Sequence, residues 1–190
     1  MFARLVSPTI LALTLAAPLA SAEPNPLDAS RQPVQVDLEV DPLPYALSGY
    51  SVHAGAGRGR VRIDAGVYRI DLPRWLHGND GWDVTFKGAG VKAQYFLLAD
   101  QRGLFFDLGA GISVRDVMRA DTGVRHDVIV KSVSASAGYR VRLPYGFHAT
   151  PWAGLSYDLD ATDVMHDGER FALSRVSPFA AVHVGYALSL

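Results

Sequence analysis

From Val34 onward, apolar and polar side chains alternate with a period of two. In LFFDLGAGISVR, Leu104, Phe106, Leu108, Ala110, Ile112 and Val114 fall on one side. Phe105, Asp107, Gly109, Gly111, Ser113 and Arg115 fall on the other. Successive side chains of a strand point to opposite faces, so this segment has one apolar and one mainly polar face. The same alternation runs through residues 132–143, 147–160 and 179–190. Helical spacing fits none of these, and their glycine content also disfavours helix. Two segments are less regular. The phase breaks near Arg69 and again at Lys87-Gly88-Ala89-Gly90, where the pattern predicts a β-bulge. Pro178 predicts a bend or bulge in the last strand, because proline cannot donate to a ladder.

Seven strands are predicted over 45–55, 60–72, 82–98, 103–118, 126–142, 146–160 and 169–190. VQVDLEV at 34–40 supplies an eighth, with Val34, Val36, Leu38 and Val40 opposing Gln35, Asp37 and Glu39. The rival reading of 34–40 is a surface segment or short helix before a differently closed sheet. Residues 55–59 (GAGRG) read as a turn. Connections alternate between tight (ADQRG, LPYG) and longer, more polar ones (LPRWLHGNDG, RADTGVR, ATDVMHDG). An even strand count with this asymmetry fits an all-β, 8-stranded antiparallel up-and-down transmembrane β-barrel.

Alternation does not say which face is wet. A soluble lipocalin-like barrel turns its apolar face inward, and a membrane barrel turns it outward. Several strands cover the ~9–11 residues that a tilted strand needs to cross a bilayer. The polar face is rich in Gly and Ser, which suits the narrow interior of eight strands. Tyr45, Trp75, Trp82, Tyr95, Tyr139, Tyr145, Tyr157 and Tyr186 lie near strand ends, as interfacial girdles do.

The ends and composition sharpen this picture. Residues 1–22 read as a signal peptide, with Arg4, an apolar run from Ile10 to Ala17, Pro18, and Ala20-Ser21-Ala22 as the cleavage pattern. Residues 23–32 read as a flexible lead-in and 33–190 as the barrel. A chain of 190 residues suits one such domain, and a net charge of -1 gives no bulk-charge case for nucleic acid. With no cysteine there are no disulfides, thiolate metal sites or lipoprotein anchor.

The chain closes on HVGYALSL. Gly185, Tyr186, Leu188 and Leu190, after polar His183, resemble the C-terminal assembly signal of outer-membrane barrels, with Leu190 in place of the usual terminal phenylalanine. Over residues 33–190 the chain resembles small OmpA/OmpX-type 8-stranded barrels. The resemblance implies a monomer in the outer membrane of a Gram-negative bacterium. It also implies contact with outer-membrane lipid, and with the barrel-assembly machinery during biogenesis.

Within that register the candidate chemistry falls in three places. Arg62, Asp64, Asp107, Arg140, Arg142, His53, His148 and His183, with Lys92 if the bulge lies before Val91, share the inward phase near the tight-turn end, which predicts a polar network filling the lumen. Its alternative role is a proton- or ligand-responsive gate. The three histidines lie on non-adjacent strands, so no metal centre is assigned, and no cofactor is expected. The long loop with Trp75, His77, Asp80 and Trp82 is a candidate binding surface. A lipid-modifying hydrolase would draw on His126 and Asp127 with Ser132, Ser134 or Ser136, but the serines sit six to ten residues down the strand from His126. The expected role is therefore structural or surface-binding without an open pore. The alternatives are a lipid-modifying enzyme and a carrier of a small hydrophobic ligand.

Overall fold

The structure, a computed structural model, describes residues 32–190. The expected signal peptide and almost all of the lead-in lie outside the described residues. Eight antiparallel strands close into a barrel. They are β1 (Gln35–Val40), β2 (Tyr50–Arg58), β3 (Val61–Leu72), β4 (Trp82–Phe96), β5 (Gly103–Arg119), β6 (Arg125–Arg142), β7 (Phe147–Asp158) and β10 (Val176–Ser189). The two remaining strands, β8 (Val164–His166) and β9 (Glu169–Phe171), form a hairpin of their own in the β7–β10 connection. Each barrel strand pairs with its sequence neighbour in the wall, and β1 closes the ring on β10 from Gln35↔Ser189 to Val40↔Val184.

One end of the barrel carries the tight connections, at Gly59-Arg60, residues 97–102 and the 3-10 turn Pro144–Gly146. Gly59 adopts φ 58°, which a side chain would strain. The other end carries the short helices α1 (Pro42–Ala46) and α2 (Arg74–His77) and the β8–β9 hairpin. These are called the turn end and the loop end below.

Several expectations need correction. The second strand begins at Tyr50, not 45, because Asp41 caps α1: its carboxylate accepts from Leu43 N–H at 3.0 Å, and prolines hold the first turn. Residues 55–58 belong to β2, and the turn shortens to Gly59-Arg60. Residues 169–171 leave the last strand for the hairpin with β8. No bulge occurs in β4: its register is unbroken against β3, from Val61↔Tyr95 to Leu72↔Val84, and against β5, from Trp82↔Arg119 to Phe96↔Phe105. Nor does Pro178 bulge β10, which pairs continuously with β7 from Val176↔Tyr157 to Tyr186↔Phe147. On its other side β1 reaches no higher than Val184, so Pro178 meets no ladder that needs its missing N–H. The notch above β1 is occupied by α1, which touches β2, β3 and β10.

The apparent phase breaks have a different cause. At the turn end and middle of the wall, apolar residues face out. Leu108 is 70% exposed, with Leu38, Ile63, Val91, Ile112, Val133, Leu155 and Val184 in the same outward belt. Nearer the loop end, on β3 to β6, the polarity inverts while the register continues. Leu72, Trp82, Val84, Phe86, Val117 and Val128 point inward, around Val164 and Phe171 of the hairpin. Arg69, Asp71, Asp83, Thr85, Lys87, Asp116, Asp127 and Lys131 occupy the outward positions, with Met118 and Ile129 as apolar exceptions. The side-chain phase never slips; the surroundings of each face change.

The barrel therefore has two interiors. A polar lumen lies toward the turn end and an apolar core toward the loop end. Trp82, a girdle and loop-binding candidate on sequence, is 2% exposed in that core, edge-on to Phe171 at 5.7 Å. Outward Tyr95, Tyr139, Tyr145 and Tyr186 ring the turn end, while Tyr50 and Tyr157 lie at the upper margin of the outward apolar belt.

Candidate functional site: the ionic network of the lumen

Strand β1 is the shortest in the wall, yet it brings the two central acids. Its inward positions are Gln35, Asp37 and Glu39, each buried, because the outward positions Val36, Leu38 and Val40 fix the phase. Asp37 forms a two-pronged pair with Arg62 of β3: Nε donates to Oδ2 at 2.9 Å and Nη2 to Oδ1. Arg62 Nη1 donates to Gln94 Oε1 at 2.6 Å, and Nη2 also reaches Asp64 Oδ2 at 3.0 Å. Each of the three nitrogens of this fully buried guanidinium thus donates to oxygen, as burial of the charge requires.

Glu39 gathers groups from three further strands. Arg140 Nη2 of β6 donates to Oε1 at 2.6 Å, His148 Nε2 of β7 lies 2.8 Å from the same oxygen, and His183 Nδ1 of β10 lies 3.0 Å from Oε2. Asp64 is shared by Arg62, Lys92 Nζ at 3.3 Å and His53 Nδ1 at 2.9 Å. The His53 and His183 rings stack with centroids 4.5 Å apart, and Lys92 lies over the Trp152 ring at 4.1 Å. Three acids, three cations and three histidines thereby span the lumen from seven strands. Phe96 and Phe105, both fully buried, lie beneath them, and Arg140 stacks on Phe96 at 5.1 Å.

The structure brings together seven of the residues singled out from sequence: Arg62, Asp64, Lys92, Arg140, His53, His148 and His183. Two stand apart. Asp107 faces inward but accepts from Ser136 at 2.6 Å instead of joining a cation. Arg142 reaches Gln35 Oε1 at 2.5 Å and the Asp100 carbonyl at the rim. Sequence reasoning missed the centre itself. Asp37 and Glu39 lay in the alternation of VQVDLEV, but only closure of β1 against both β2 and β10 aims them across the lumen. A second ion pair nearer the loop end, Arg115–Asp158, was also missed.

Asp37, Glu39 and His148 offer ligand atoms within 4.8 Å of one another. They do not make a metal centre, because both carboxylates are already engaged by Arg62 and Arg140. His53, His148 and His183 do not converge either; the strands of His148 and His183, β7 and β10, are neighbours, contrary to expectation, but the three rings turn their nitrogens toward different carboxylate oxygens.

The hydrolase candidates fall apart in the fold. His126 and Asp127 point to opposite faces of β6, and Ser136 is bonded to Asp107. An unanticipated chain does have the order of a catalytic triad: Ser51 Oγ to His53 Nε2 at 3.1 Å, and His53 Nδ1 to Asp64 at 2.9 Å. Residues 51 and 53 share a face of β2, and the β2–β3 pairing brings Asp64 opposite Gly55. The Ser51 hydroxyl, however, belongs to a residue only 4% exposed, and Asp64 is shared with two cations. The chain extends the lumen network toward α1.

Of the loop candidates, Trp75 and Asp80 face solvent, whereas His77 packs against Phe171 at 5.9 Å and Trp82 is in the core. Burial pushes the His77 imidazole below its ordinary value. Among the proposed assembly residues, Tyr186 and Leu188 face outward on β10 and Gly185 faces the lumen beside His148 and Glu39, while Leu190 N–H donates to the Val34 carbonyl at 2.8 Å. On the outer wall, Leu104, Tyr139, Pro151, Ala153, Ala180 and Leu43 border a shallow concavity of about 880 Å³.

No protein-family model matches the chain, and none of the curated proteins does. Solved structures align with the chain at low identity. The N-terminal β-barrel domain of Pseudomonas aeruginosa OprF aligns at 14% identity with a TM-score of 0.45, covering 83% of this chain and 98% of that one. Neisserial surface protein A aligns at 15% identity with a TM-score of 0.45, covering 83% and 96%.

Proposed function

We propose that the protein is an integral outer-membrane barrel with a structural or surface-binding role, closed to free diffusion of solutes, and not an enzyme. The polarity inversion on β3 to β6 carries this reading. A wall in one solvent keeps one polarity on each face. Here an unbroken register passes from apolar-outside to polar-outside within a few successive outward rungs on all four strands, as a wall leaving hydrocarbon for water would. On β5 the outward belt runs from Leu104 to Val114. Its ten residue-to-residue steps of roughly 3.3 Å, tilted about 40°, rise about 25 Å, which matches the apolar band of such barrels.

In this reading the turn end faces the periplasm and the loop end faces outward. The cleavage near Ala22, the monomeric state and the engagement of the last strand by the assembly machinery belong to the same proposal. The ionic network and the phenylalanines beneath it support a filled lumen, since eight strands leave an interior that side chains can occupy. The raised sheet of β3 to β6 with its hairpin cap, and exposed Trp75, would be the surface available to a partner.

Fractionation tests the assignment. The protein should resist extraction by alkaline carbonate, require detergent, and run as a heat-modifiable band. Release by osmotic shock would refute it. In planar bilayers the folded protein should give no steady conductance, and a fluorophosphonate probe should leave Ser51 unlabelled.

A further inference from the structure

The β8–β9 hairpin is not laddered to the barrel. Val164 and Phe171 seat it on the apolar core, Arg119 pairs with Glu169, and Ala172 N–H donates to Asn79 Oδ1 at 3.3 Å. One further contact is made by two histidines. His126 Nε2, at the top of β6, lies 3.4 Å from His166 Nδ1 on β8, with ring centroids 5.3 Å apart and planes at 62°.

That separation is long for an N–H donor bond, whose usual range ends near ~3.2 Å. It matches another geometry. Two imidazole nitrogens bound to one tetrahedral Zn²⁺ at about 2.05 Å are held about 3.3–3.4 Å apart, with their ring centroids about 5.2 Å apart. The far side of His166 supports the same assignment. Its Nε2 lies 3.5 Å from Asp167 Oδ2. That distance is an ion-pair contact, not a hydrogen bond, but the negative charge beside Nε2 favours the tautomer that carries its proton there, which leaves the Nδ1 lone pair directed at His126. The neighbouring guanidiniums are neutralised. Arg125 pairs with Asp116, Arg119 with Asp121 and Glu169, and Arg170 with Asp163. Both histidines are only partly buried, so water can complete the coordination.

The geometry points to a site for a borderline transition-metal ion, Zn²⁺ or Ni²⁺, shared by His126 and His166 with Asp167 as orienting partner, clamping the hairpin to the barrel rim. Imidazole donors favour such ions over Mg²⁺ or Ca²⁺. The site is separate from the lumen network and does not depend on which medium surrounds the barrel.

The test uses the folded barrel in detergent, with heat-modifiable mobility as the check on folding. Calorimetric titration with Zn²⁺ and with Ni²⁺ at neutral pH should show one ion per chain. H126A and H166A should each abolish that stoichiometric binding, and D167N should weaken it by about tenfold or more. Hydrogen exchange should show residues 164–171 gaining protection on Zn²⁺ addition in the wild type only. Should H126A fail to assemble, H166A, which lies outside the barrel sheet, carries the test. Absence of one-to-one binding by the folded wild type would overturn the proposal. So would equal affinity in the H126A/H166A double variant.

Discussion

Consider Glu39→Gln. The substitution keeps the shape of the side chain and removes its charge. Glu39 accepts from Arg140 at 2.6 Å, contacts His148 at 2.8 Å and His183 at 3.0 Å, and lies 3.4 Å from Arg62. The amide retains one acceptor oxygen, so at least one contact is lost or reversed. A charged hydrogen bond contributes about 1.5–3 kcal/mol, which for two affected partners gives about 3–6 kcal/mol. Some is recovered, because Asp37 Oδ2 already lies 3.7 Å from Arg140 Nη1 and can draw it in. The expected loss is about 3–5 kcal/mol, the range for breaking one side of a buried pair. Urea unfolding in detergent, followed by tryptophan emission and by heat-modifiable mobility, measures it. A second arm separates charge pairing from volume: Glu39→Leu with Arg140→Leu should recover most of the loss, because an apolar pair leaves no unpaired charge. If Glu39→Gln falls within about 0.5 kcal/mol of wild type, the range of an ordinary surface change, the network does not hold the lumen together.

Three other outcomes follow from the same structure. Leu108→Arg, on the outward belt, should cost about 2–4 kcal/mol in refolding titrations, as arginine does at a bilayer midplane, whereas Asp127→Arg above the belt should be near neutral. Trp82→Ala should remove about 3–5 kcal/mol from the loop-end core and release the β8–β9 hairpin in hydrogen exchange, leaving the lower barrel protected. The third concerns acid. The folded-state pKa of His77 is below its ordinary value of 6.5, so the unfolded loop binds the proton first. Stability is therefore full above that ordinary value and falls as pH drops from it toward the lowered one. Exchange at residues 73–81 should rise across that window, and His77→Phe should flatten the response.

The sequence by itself determined much of this protein. A period of two over several long segments fixes strands and the side each residue takes, because the pleat leaves no other choice. It was enough to place Arg62, Asp64, Arg140, His148 and His183 on one face, and to count eight strands from alternation and turns. Two things it left open for the same reason: alternation records the contrast between faces, not which medium lies on either side. At Arg69 and Lys87 a change of surroundings looks like a slip of phase, and only the unbroken pairing of β3, β4 and β5 separates the two. Tertiary structure also decided the centre of the network. Asp37 and Glu39 are two acids on a six-residue strand until closure of the ring sets them against Arg62, Arg140, His148 and His183. His126 and His166 met in the same way, forty residues apart in sequence and joined by a hairpin whose first strand alternation had read as a loop and whose second it had merged into the last strand. Pairing across a closed sheet depends on which strands become neighbours and at what stagger, and that is settled by the whole ring at once.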